Sequence, residues 1–97
     1  MSGFGGIKSM KEALRGAIES SGLEMKILEQ NVIHGWESYA GKAVANVSAP
    51  ISIENGTLWL SVQDAAWRQE LSLRRDELRK RINEKLEVEL IREIILR

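Results

Sequence analysis

Ile51-Ser52-Ile53-Glu54-Asn55-Gly56-Thr57-Leu58-Trp59-Leu60-Ser61-Val62 reads as two strands joined by a two-residue turn. Ile51 and Ile53 alternate with polar residues, and so do Leu58, Leu60 and Val62. Asn55-Gly56 between them suits a type I′ turn, which needs positive φ at both central positions. A two-residue turn also sets the register. Ile53 is expected to face Leu58, Ile51 to face Leu60, and Ala49 to face Val62, all on one side of the sheet. Ser52 then faces Trp59 on the other side, which turns Trp59 away from the aliphatic set.

The flanking segments read as helices. Downstream, Asp64 suits an N-cap. Trp67, Leu71, Leu78, Ile82 and Leu86 follow at steps of four, seven, four and four, the stripe of one long helix over Ala65 to Leu86. The spacing of Glu89 to Leu96 fits either helix or strand, and its isoleucines favour a third strand. Upstream, Met25, Leu28, Val32, Trp36 and Tyr39 fall on one helical face, with Gly41 as the stop. Lys42 to Val47 is ambiguous and fits a further short turn of helix. Ile7, Met10, Leu14, Ala17 and Ile18 mark an earlier helix, ended by Ser20-Ser21-Gly22. Residues 1–6 carry three glycines and read as a flexible N-terminus. The rest, 7–97, reads as one domain. The order is α-α-β-β-α-β, an α+β fold with a three-stranded sheet and helices on one face. Trp36, Trp67, Leu71, Leu78 and Ile82 are the expected core.

Composition excludes several functions. The 97 residues suffice for one domain. There is no cysteine, so disulfides and thiolate metal sites are out, and a reducing compartment such as the cytoplasm fits. No apolar run approaches the roughly 20 residues of a membrane span, and no secretory signal opens the chain. Fourteen basic and fourteen acidic residues cancel, so any nucleic-acid contact needs a local patch. His34 is the only histidine and forms no metal cluster or catalytic triad by spacing. It reads as a structural or solvated side chain. No enzyme, metal or cofactor is expected. Gly3-Phe4-Gly5-Gly6 has the GxxG form of the backbone-clamping loop of KH domains. Its place before the first helix suits a loose terminus better.

Two features point to binding. From Arg68 to Arg81 the chain carries six basic and three acidic residues. Glu70–Arg74, Asp76–Lys80 and Glu77–Arg81 are spaced for helix-supporting ion pairs with the acid first. Arg68, Arg75 and Arg79 form a stripe beside the apolar one, with Lys80 next to it. That stripe is the candidate phosphate contact, against the plainer reading of a solvated, salt-bridged face. Trp59, turned off the core face, is the candidate anchor for a partner or an unstacked base.

These residues also resemble a known family. Trp36-x4-Gly41, Pro50, Gly56-Thr57-Leu58-x-Leu60-x-Val62, Ala66-Trp67-x-Gln69-Glu70-Leu71, and then Leu78, Ile82 and Leu86 are similar to the DciA family. The resemblance spans about Val32 to Leu96. These bacterial proteins act with the replicative helicase DnaB. The resemblance implies a KH-like domain without a working GxxG loop, binding to the hexameric helicase, and binding to single-stranded or forked DNA. It implies no enzymatic activity. Many members continue into a long basic tail where this sequence stops at Arg97, so weak DNA binding is expected; the chain is separately expected to be a monomer in isolation. Two rival readings stay open: a KH-like RNA-binding module, and a protein adaptor without nucleic-acid binding.

Overall fold

The computed structural model describes residues 22–97. The expected flexible start at 1–6 and the helix expected over Ile7 to Ile18 lie outside the described residues. Three helices come first: α1 (Gly22–His34), α2 (Trp36–Ala40) and α3 (Lys42–Ala45). Strands β1 (Ala49–Glu54) and β2 (Thr57–Ser61) follow, then α4 (Ala65–Leu73), α5 (Arg75–Leu86) and β3 (Glu93–Leu96). This is a mixed α+β fold, with helices packed against a three-stranded sheet.

The sheet order is β1-β2-β3. β1 and β2 are antiparallel, and β2 and β3 are parallel. The parallel pair needs a crossover, and α4 with α5 supplies it. Asn55 and Gly56 both adopt positive φ, 52° and 84°, as the type I′ turn demands. Next to the turn the register is as expected: Ile53 pairs with Leu58 and Ser52 with Trp59.

Beyond Ser52 the expected register fails. Pro50 pairs with Leu60 and Ala49 with Ser61, with a bulge between Pro50 and Ser52. Proline cannot donate to the ladder, and a bulge absorbs one extra residue on the interrupted strand. That residue is Ile51. It stands 50% exposed instead of facing Leu60 from the core side.

The two long helices expected from periodicity are each broken. Over Met25 to Tyr39 the break falls at Gly35, and Gly41 then separates α2 from α3. Gly41 has φ +92°, where a side chain is strained, and the Arg81 guanidinium lies against it. Over Ala65 to Leu86 the break falls at Arg74, whose backbone leaves the helical region at φ −109°, ψ 18°.

The core lies between the helices and one sheet face. Val32, Ala40, Leu58, Leu60, Val62, Ile82 and Ile91 are fully enclosed. Trp36, Leu71 and Leu78 are buried with them, as expected. Trp36 also donates its indole N–H to Ser48 Oγ at 3.0 Å, and Ser48 donates on to Val44 O. Trp67 is the exception among the expected core residues. It is 41% exposed, because the break at Arg74 ends the continuous stripe and only Leu71 of α4 reaches the core.

Asn83 is buried without having been singled out. Its amide donates to Ile91 O at 2.8 Å and accepts from Ile91 N at 2.9 Å. A side chain with both a donor and an acceptor thus clamps the turn between α5 and β3.

Candidate partner and nucleic-acid surfaces

Asp64 caps α4 as expected, accepting from Trp67 N at 3.0 Å. A capped helix start holds the α4 backbone firmly and fixes where its side chains project. Those side chains meet little of the body. Ala65, Ala66, Trp67, Gln69 and Leu73 are all exposed, Leu73 at 76%.

The arginine stripe is largely occupied within the chain. Arg68 donates from Nε and Nη2 to Val62 O and from Nη2 to Gln63 O. Arg79 pairs with Asp76 at 2.9 Å and with Glu89 at 3.6 Å. Lys80 pairs with Asp76 at 3.3 Å. Arg75 is exposed at the start of α5 and, among the described residues, is the member of the set with no ion pair or side-chain hydrogen bond. The hydrogen bond from Arg79, and then that from Lys80, holds the Asp76 carboxyl below its usual range. Of the expected helix pairs, Glu70–Arg74 forms at 2.7 Å and Asp76–Lys80 forms. Arg81, the intended partner of Glu77, lies across Gly41 instead.

Trp59 sits on the sheet face opposite Leu58 and Leu60, which are buried while Trp59 is half-buried. The Arg97 guanidinium stacks 4.7 Å from the centre of its ring. Ile51, Ser52 and Glu54 complete a shallow hollow around the pair. The same face carries Ser61, two residues along β2. Beyond it a second hollow, of about 490 Å³, runs to Trp67. Sequence reasoning missed this site, because a tryptophan on an apolar stripe reads as core.

Among the described residues no group of three or more acidic or histidine side chains is arranged to hold a metal ion. His34 is exposed at the end of α1. No helix among the described residues is long and apolar enough to cross a membrane.

The chain matches the family described as "DciA: Dna[CI] antecedent, DciA" over residues 9–96. It belongs to the DciA family. The match extends well upstream of the Val32 to Leu96 stretch that carries the resemblance. DciA membership implies involvement with DnaB helicase loading, the work of a loader or adaptor family. No curated protein matches this DciA chain.

Proposed function

We propose that the chain binds the replicative helicase DnaB and helps load or position it on single-stranded or forked DNA, as a non-enzymatic, cytoplasmic protein. Family membership over residues 9–96 carries this reading. The outer side of α4 supports a protein contact. A nine-residue helix that buries one residue and exposes Trp67 and Leu73 has more apolar surface outside than its own packing explains. Trp59 is the proposed anchor on the sheet face, for the helicase or for an unstacked base.

The domain is read as KH-like without a GxxG clamp, and the helices packed on one face of the three-stranded sheet support that reading. Arg75 is the proposed phosphate contact, with Arg68, Arg79 and Lys80 contributing through whatever donors their internal bonds leave. That occupancy favours weak DNA binding, and with it the adaptor reading as the runner-up.

Capture of purified DnaB by the chain tests the reading. Wild type is expected to retain the helicase. Leu73→Glu, which places a charge at the most exposed apolar position, should weaken capture at unchanged melting temperature. Trp59→Ala should also leave melting nearly unchanged. Loss of DnaB capture in that variant assigns Trp59 to the helicase, and loss of strand binding assigns it to a base. A wild-type chain that retains no DnaB removes the helicase from the reading.

A further inference from the structure

We propose that the hollow beside Trp67 accepts one unstacked base of a single-stranded nucleic acid, an inference that rests on the DNA-binding part of the proposed function. Trp67, Asn46, Ser61 and Gln63 stand among its walls with the apolar Val47 and Ala49, and Ser48 and Asp64 complete them. The volume of about 490 Å³ falls in the ordinary range for small-ligand sites. Around the indole the walls mix amide and hydroxyl groups with the aliphatic Val47 and Ala49, a lining that suits a flat ring with polar edges. Asn and Gln amides each offer donors and an acceptor, the complement of a base's Watson–Crick edge. The indole face supplies the stacking surface.

Two further observations favour a nucleotide. The Arg68 fork donates to the carbonyls of Val62 and Gln63, and Gln63 lines the hollow. A guanidinium has five N–H donors, and these bonds use Nε and Nη2, so among the described residues Nη1 is left to meet a phosphate. The hollow also continues the Trp59 face through Ser61 and its register partner Ala49. A strand stacked on Trp59 would pass Ser61 on the way to the hollow.

The test uses the full chain and two labelled probes of about 16 nucleotides, a thymidine strand and an abasic strand with the same phosphates. Wild type should prefer the thymidine strand by at least about fivefold. Trp67→Ala should lose most of the preference and keep only what stacking on Trp59 supplies, and Trp67→Phe should keep most of the wild-type preference. Gln63→Ala, which spares the indole, should lower the preference by a smaller factor and serves if Trp67→Ala does not fold. Equal wild-type affinity for the two strands overturns the base hollow and leaves DNA binding standing. No binding of either strand overturns the DNA reading and the hollow with it. A folded Trp67→Ala protein with its preference intact, whether or not DnaB capture falls, also overturns the proposal.

Discussion

Helices α4 and α5 come from one continuous apolar stripe and end in different environments. α5 buries Leu78, Ile82 and Asn83. α4 buries Leu71 alone. A stripe at helical spacing shows which residues would share a face if the helix were unbroken. It does not show that the helix is unbroken. The turn at Arg74 redirects the axis, so Leu71 is the last side chain of α4 to reach the core, and Trp67, one turn earlier, stands clear of it. The difference separates a helix that holds the fold from a helix that presents a surface.

The largest expected effect tests the holding role of α5. Ile82 is fully enclosed. Ile82→Ala should cost about 3–4 kcal/mol by the usual cavity and transfer terms. For a domain of this size that is a large part of the total stability. Denaturant melts measure it. A loss under about 1 kcal/mol would mean that α5 packs no better than α4.

Asn83 sharpens the same point by hydrogen bonding. Asn83→Ala strands the N–H and C=O of Ile91 inside the protein, at about 2–3 kcal/mol. Hydrogen exchange at the Ile91 amide should speed up along with global unfolding. Unchanged protection there would show that another group takes over the clamp.

Much of this was legible in the sequence, and the failures have identifiable causes. The turn was readable because Asn55-Gly56 has few alternatives, and with it Trp59's placement opposite Leu58 and Leu60. The cap was readable because Asp64 is followed by a long apolar-periodic run. The bulge was written in Pro50, whose missing N–H breaks the ladder, but alternation alone carried Ile51 into the core. The break at Arg74 lacks any glycine or proline. Its one local sign is Asp76-Glu77, an acidic pair suited to a helix first turn. The internal occupancy of the arginine stripe was not legible for another reason. Arg68 is consumed by backbone carbonyls that only tertiary folding brings near, and no helical spacing reports them. Asn83 looked like one more polar residue until its backbone partner at Ile91 was in place.

Trp67→Ala probes the presenting role of α4. Truncation of a buried aromatic costs about 3–5 kcal/mol. Trp67, at 41% exposure, should cost under about 1 kcal/mol. Thermal melting of the variant beside Ile82→Ala gives the contrast directly. Equal losses from the two would collapse the distinction between the helices and return Trp67 to the core.

The smallest effect compares how the two helices begin. α4 starts on a true cap, since Asp64 accepts from Trp67 N. α5 starts on Arg74 with no side-chain cap, and its first turn carries Asp76 and Glu77. Asp76 therefore acts by charge, through Arg79 first and Lys80 second, and both hold its carboxyl below the usual value of 3.8. The sign follows from linkage. A carboxyl with a lowered pKa in the folded state contributes stability that is fully present above 3.8 and is lost as pH falls through the folded value. Asp76→Asn should thus lower the melting temperature slightly at neutral pH, and the gap from wild type should close below pH 3.8. Because Asp76 is exposed, added salt should narrow the gap at neutral pH as well. Asp64→Ala loses a cap hydrogen bond, which salt screens far less. If the Asp76→Asn gap were insensitive to both pH and salt, Asp76 would be acting through backbone geometry, and the two helix starts would be alike after all.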